Sequence, residues 1–278
     1  MLETSELTKK RIADFIKEGK RFDGRKLNEY RDLKIELGVS NKAEGSARIR
    51  LGKTDIMVGV KMDVMAPYRD SPNEGVLSAG AELLPMSSDR IESGPPGFAS
   101  IEVGRLMDRG VRESKFIEFE NLCIKEGEKV WTVMIDFYSI NDDGGLIDAA
   151  SLGAVAALMN SKMPKYDEEK ARVDFGEWTA KKLPLKKSIP ITMTFYKIGS
   201  KIVLDPTQEE EDASSAKLTL TVMEDGGKKH ICSMQKGNEE GLSISEVEEI
   251  FDMAEKEYDV MVDKFNKAFE KAEKEKKD

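Results

Sequence analysis

Asn141-Asp-Asp-Gly-Gly-Leu-Ile-Asp-Ala-Ala-Ser-Leu-Gly-Ala-Val-Ala-Ala-Leu-Met159 is the stretch whose reading decides the fold. A run with strand character, Val130 to Ile140, leads into it, and Asp142-Asp-Gly-Gly145 makes a sharp turn. The segment after the turn, Leu146 to Met159, is apolar on every side and rich in Ala and Gly. A helix that is apolar all round is a buried helix, and small side chains let neighbouring backbones come close. A strand–Gly-Gly–helix unit also aims free backbone N–H groups at whatever sits over the turn, which suits an anion such as phosphate. The plainer reading is a tight turn into a core helix. An anion site needs a cation nearby, and positions 146 and 147 are Leu and Ile. The turn has the backbone of a site without its side chains.

The surrounding chain bounds the possibilities. Its 278 residues suffice for two domains or one large one. At 39% hydrophobic and 35% charged the composition is that of a soluble globular protein with raised charge. No run of about 18 apolar residues is present, so no membrane-spanning helix is expected. Residues 1–20 are charged throughout and lack the apolar core of a secretion signal, which leaves the cytoplasm as the expected location. Cys123 and Cys232 are expected as reduced core thiols rather than a disulfide. His230 is the one histidine, which excludes a His-rich metal site and argues against Ser-His-Asp or Cys-His catalysis. No metal or cofactor is expected. A net charge of −9 speaks against a chain coated in nucleic acid. It leaves room for a local basic stripe, because binding depends on the field at the site.

Working outward, Leu7 to Glu18 reads as an amphipathic helix with Leu7, Ile12, Phe15 and Ile16 on one face. Ala47 to Leu51 and Thr54 to Val64, joined by Gly52-Lys53, read as a β-hairpin. Ala66 to Gly75 and Glu92 to Gly97 read as loops. Ser100 is the expected N-cap of a helix to about Ser114, with Val103, Leu106, Met107 and Val111 on its apolar face. Arg105, Arg109 and Arg112 then form a stripe on the opposite face. Either they are a solvated face with internal pairs, Asp108–Arg112 and Arg109–Glu113, or they read phosphates, for which the arginine fork is well suited.

Leu122 to Ile124 is expected as a strand. Residues 161–188 are polar, carry the basic patch Lys181 to Lys187, and read as a boundary with a solvated linker. Ile191–Tyr196, Ile202–Leu204, Lys217–Met223 and His230–Met234 read as strands. Asp205-Pro-Thr-Gln-Glu-Glu-Glu-Asp212 reads as an acidic surface loop, or as metal or proton-transfer chemistry. Ser245 to Glu248 reads as a capping box opening a long helix. The end, Lys271 to Asp278, is expected to be disordered.

Taken in order, Arg21-Phe-Asp-Gly-Arg25…Arg31, Glu44-Gly-Ser-Ala47, Gly52-Lys-Thr54, Asp143-Gly-Gly145 and Leu204-Asp-Pro…Glu-Glu-Glu-Asp212 resemble the RNase PH family over residues 21–250. Ser93-Gly-Pro-Pro96 followed by Ile101-Glu-Val-Gly-Arg-Leu-Met-Asp-Arg-Gly-Val-Arg-Glu-Ser114 resembles the non-catalytic RNase PH-like subunit of archaeal exosomes. The resemblance implies an α/β (α+β) fold in two parts, with mixed β-sheets and packed helices. An N-terminal helix (1–20) would precede RNase PH-like domains 1 (21–188) and 2 (189–270) and a charged tail (271–278). It also implies a hexameric ring of three heterodimers with a catalytic RNase PH-like subunit, S1/KH-type RNA-binding cap proteins, and single-stranded RNA as ligand.

The departures from the active pattern carry the functional expectation. In active members the resemblance implies Thr and Arg after Asp-Gly-Gly, where the Arg and the helix N-terminus hold the attacking phosphate; here those positions are Leu146 and Ile147. Two aspartates of the second domain fall, without gaps, on Glu211 and Lys217; a one-residue slip would place Asp212 at the first. Phosphorolysis needs a bound phosphate nucleophile and an acid or metal at the leaving 3′ oxygen. The chain is therefore expected to be non-catalytic and to contribute Arg105 and Arg109, with Arg112 in addition, to the RNA path beside a partner's active site. Two other readings stand beside it: an active phosphorolytic 3′-to-5′ exoribonuclease, and a stand-alone RNA-binding protein.

Overall fold

The structure, a computed structural model, describes residues 4–276. Residues 1–3 of the expected N-terminal segment and 277–278 of the expected tail lie outside the described residues. The first helix, α1 (Glu6–Lys17), is capped by the Ser5 hydroxyl, which accepts from Thr8 N–H. Ile12 and Ile16 are buried against Ile198 and Val203, whereas Leu7, expected on the same face, is exposed.

The first sheet opens with β1 (Leu33–Leu37), β2 (Gly45–Leu51) and β3 (Thr54–Met65), successive antiparallel neighbours. The expected hairpin is present, with Leu51 opposite Thr54 and Gly52 left-handed between them. β4 (Val76–Leu83) follows the loop at 66–75, and α2 (Phe98–Glu113) follows the Gly-Pro loop. Gly97 rather than Ser100 occupies the N-cap position; Ser100 is buried in the first turn. β5 (Cys123–Lys125) and β6 (Lys129–Asn141) complete a six-stranded sheet ordered β1-β2-β3-β6-β4, with β5 on β6. β4 and β6 are parallel, as the long crossover through α2 permits.

α3 (Leu146–Met159) is the apolar helix of the opening stretch, and every residue from Ile147 to Leu158 is buried. It packs on β2 and β3 through Gly153, where a Cβ would meet Val58 Cγ2 at 2.7 Å and Ile56 Cδ1 at 2.8 Å. Residues 161–188 are more ordered than expected. β7 (Lys162–Asp167) and β8 (Arg172–Lys182) form their own hairpin. Leu183 is buried, and Leu185 bridges Ile117, so the expected linker is docked on the body.

A second sheet contains β9 (Ile191–Ile198), β10 (Lys201–Leu204), β11 (Ala216–Asp225) and β12 (Lys228–Gly237), ordered β10-β9-β11-β12. The expected acidic loop holds a short helix, α4 (Gln208–Asp212). α5 (Ile244–Glu275) starts slightly before its expected cap: Ser243 and Glu246 make the capping box, not Ser245 and Glu248. It also continues past 270. Phe269 and Ala272 extend its buried stripe, and Lys276 Nζ donates to Asn160 Oδ1 at 2.7 Å, so the tail through Glu275 is helix rather than disordered chain. α3 also contacts β9, and one continuous apolar core links the two larger sheets, α2, α3 and α5. Cys123 and Cys232 are free thiols and only partly buried. Among the described residues no helix is long and apolar enough to cross a membrane.

Candidate functional site

β6 delivers the chain to the turn, and consecutive left-handed glycines bend it into α3. Gly144 and Gly145 have φ of 83° and 70°, values that Cβ-bearing residues rarely adopt. A Cβ at Gly144 would also lie 2.6 Å from Pro206 O, because the turn packs against the segment before α4. The Asp142 carboxylate accepts from Gly144 N–H at 3.0 Å. Arg31, 8% exposed, braces the turn from behind, donating to Asp143 O at 2.8 Å and Gly144 O at 2.9 Å. Thr54 Oγ1 donates to Gly144 O at 2.6 Å. Ile147 is buried and Leu146 half-buried, so neither a hydroxyl nor a guanidinium follows the glycines.

The position over the turn is filled by Glu211. Its Oε1 accepts from Gly145 N–H at 2.8 Å and from the Tyr196 hydroxyl at 2.9 Å. Burial, with Asp142 nearby, pushes its carboxyl up to about 7 against the opposing Gly145 hydrogen bond. Asp212 points elsewhere, to Arg90 and Thr4. Lys217 brings no acid: its Nζ is 2.8 Å from Glu102.

The acidic run is thus not a solvated loop. Glu210 is buried in a two-point contact with Arg21, Asp212 holds Arg90, and Glu211 caps the turn. Asp205 is fully buried between Arg31 and Arg25. In the sequence Arg21, Arg25 and Arg31 were visible only as motif letters; Tyr196, Tyr30 and Arg90 carried no signal, since their partners lie far along the chain.

One buried acid of α3 has no counterion among the described residues. Asp148 is 2% exposed; its Oδ2 accepts from the Tyr30 hydroxyl at 2.8 Å and from Thr194 N–H at 3.2 Å, while Oδ1 has no partner among the described residues. Burial raises its carboxyl from 3.8 to about 7. The native state therefore keeps a proton that the unfolded chain releases near pH 4. Stability from this group is full at low pH and falls as pH rises toward 7, by up to ~4 kcal/mol. Asp148→Asn keeps the acceptor and removes the titration. Its thermal midpoint is expected to exceed that of the wild type at pH 8 and to match it near pH 4. Parallel curves for the two proteins would contradict the assignment.

The arginine stripe divides on inspection. Arg112 is clamped by Asp108, at 2.9 Å and 2.6 Å, and donates to Leu77 O at 2.9 Å, so it ties α2 to β4. Arg109 does not pair with Glu113; neither it nor Arg105 has a hydrogen-bond or ion-pair partner among the described residues. Arg105 is exposed, Arg109 partly so, and the apolar residues expected opposite them are all buried. Arg105 stands at a groove of about 320 Å³ between α2, β4 and β6, lined by Gly80, Ile101, Gly104 and Tyr138.

Two family models match the chain: the 3′ exoribonuclease family (RNase PH) domain 1 over residues 29–164 and domain 2 over residues 188–257. The exosome complex component Rrp42 of Methanothermobacter thermautotrophicus is 46% identical over 242 residues, covering 87% of this chain and 88% of that protein. Its counterpart from Thermococcus gammatolerans is 44% identical over 252 residues, 90% of each chain. Among solved structures, a chain of the Archaeoglobus fulgidus exosome with RNA bound to the active site superposes with a TM-score of 0.84 at 36% identity, over 94% of this chain and 98% of that one.

Proposed function

The chain belongs to the RNase PH 3′ exoribonuclease family, and from that premise we propose that it is a non-catalytic ring subunit of an archaeal exosome. In this reading it binds RNA and supports the active site of a catalytic RNase PH-like partner in 3′-to-5′ degradation. Residues 21–188 and 189–270 are its two RNase PH-like units. The ring holds three such heterodimers, carries S1/KH-type cap proteins, and works in the cytoplasm on single-stranded RNA.

The observation that carries the reading is the side-chain chemistry of the turn. Phosphorolysis needs an anchored phosphate nucleophile and an acid or metal at the leaving oxygen. Leu146 and Ile147 offer the first nothing, and Lys217, paired with Glu102, cannot supply the second. Arg105 and Arg109 are the RNA contacts in this reading, because Arg105 is exposed, Arg109 is partly exposed, and neither has a partner among the described residues. Arg112, engaged by Asp108 and Leu77, is assigned to holding the helix in place.

The purified chain, given single-stranded RNA and inorganic phosphate without a partner, is expected to release no nucleoside diphosphate. Ile147→Arg alone is expected to stay inactive, because Lys217 remains. Robust phosphorolysis by the isolated wild-type chain would make it an exoribonuclease in its own right.

A further inference from the structure

On the face of the first sheet turned away from α3, Gly59 of β3, Asp136 of β6 and Gly80 of β4 stand side by side in register. Neither glycine has a positive φ, and a Cβ would come no closer than 3.9 Å to any atom at Gly59 and 3.8 Å at Gly80. The fold has room for side chains at both positions, and strands favour residues that carry them. A glycine inside a strand that the fold does not require marks a place where another chain approaches closely.

The next row across the same strands is Met57, Tyr138 and Glu82, the last two exposed. Asp136 and Glu82 are carboxylates without a hydrogen-bond or ion-pair partner among the described residues. Burial and the neighbouring Glu82 charge raise the Asp136 carboxyl above its ordinary value. α2 walls the groove with Ile101 and Arg105, and Ile101 and Phe98 are both exposed apolar side chains at its start.

We propose that this groove docks the catalytic RNase PH-like partner, and that an arginine of that partner enters between Gly59 and Gly80 onto Asp136 and Glu82. The proposal rests on the ring reading and deepens it by naming the surface and the chemistry that meets it. Charge selects a protein over RNA, since two carboxylates on the floor repel phosphates. A planar guanidinium suits the groove because it can bridge both acids and stack on the Tyr138 ring. Arg105 identifies the partner: it stands at the same groove, and in the ring reading it lies beside the catalytic subunit's active site.

The test mixes the full chain with the purified catalytic RNase PH-like subunit from the same source and measures the Kd of assembly at low and high salt. Gly59→Val and Gly80→Val fill the gap with a strand-favouring residue. Each should leave the melting midpoint of the isolated chain unchanged or higher and weaken assembly roughly tenfold or more. Glu82→Gln with Asp136→Asn keeps the shape and removes the charge. This neutral pair should weaken assembly by roughly the same factor and make it less sensitive to salt. It decides the matter if a valine variant does not fold. A neutral pair that assembles with the affinity and salt dependence of the wild type would overturn the proposal and leave the ring reading standing. Folded valine variants that assemble like the wild type would do the same. Failure of the wild-type chain to assemble at micromolar concentration would overturn both.

Discussion

Replacing Arg105 and Arg109 together by glutamate is expected to weaken single-stranded RNA binding by the reconstituted ring at least about tenfold at low salt, since hydrogen bonds to charged groups contribute roughly 1.5–3 kcal/mol each. Binding should also become less sensitive to salt. Each phosphate contact with a single strand contributes about 0.7 to the log–log salt slope, so two lost contacts flatten it by about 1.4. The two side chains sit one helical turn apart on α2, on the face opposite the buried Val103, Leu106, Met107 and Val111. Two guanidinium groups so placed can grip neighbouring phosphates of one strand, and the local field suffices although the chain carries −9 overall.

Controls separate contact from scaffold. Arg105→Lys with Arg109→Lys keeps the charge and should keep most of the slope. Arg112→Met breaks the Asp108 clamp and the link to Leu77, so it should lower stability and leave the slope alone. The glutamate pair leaves the partner's chemistry intact, and degradation should recover at high RNA concentration. An unchanged affinity and slope would return both residues to an ordinary solvated face, where exposed charges are worth roughly 0–1 kcal/mol.

The sequence was most legible where a period had one cause. The run after Gly145, apolar but for Asp148 and Ser151, reads as a buried helix, and α3 is one. The alternation around Gly52-Lys53 marked the β2–β3 hairpin. Legibility failed where partners are remote in the chain. β4, with Gly80 and three other small residues, has little strand character of its own and is held by β6 on one side and α2 on the other. The polar β7–β8 hairpin reads as linker because its strands satisfy each other and bury little beyond Met163 and Val173. At the candidate site, that Leu146 and Ile147 follow the glycines was readable letter by letter. That a carboxylate 66 residues away closes the turn was not, since nothing local in Glu209-Glu-Glu-Asp212 distinguishes the acid on Arg21 from the one on Gly145.

The largest effect on stability is expected from Asp205→Ala. Asp205 is fully buried at the end of β10, at a left-handed φ of 48°. Its carboxylate accepts from Arg31 N–H and Nη2, each at 2.7 Å, and from Arg25 Nη1 at 3.0 Å. Arg31 in turn braces Asp143 and Gly144, so one acid joins the second sheet to the turn that starts α3. Its removal leaves buried Arg31 with only the longer Asp143 contact at 3.4 Å and half-buried Arg25 with Asp23 alone, and Arg25 Nη2 already lacks a partner among the described residues. Removing one side of a buried pair costs roughly 3–5 kcal/mol, and alanine at positive φ adds roughly 1–2 kcal/mol. The melting midpoint should fall by on the order of 10 °C. Asp205→Asn isolates the charge, because asparagine tolerates the left-handed backbone; it should lose the larger part of the same stability. Asp205→Leu combined with Arg31→Met should cost less than the sum of the single changes, since the double replacement leaves no unpaired partner between them. A loss below about 1 kcal/mol in the alanine variant would mean that Asp23, Asp143 and water, not Asp205, neutralise the two arginines.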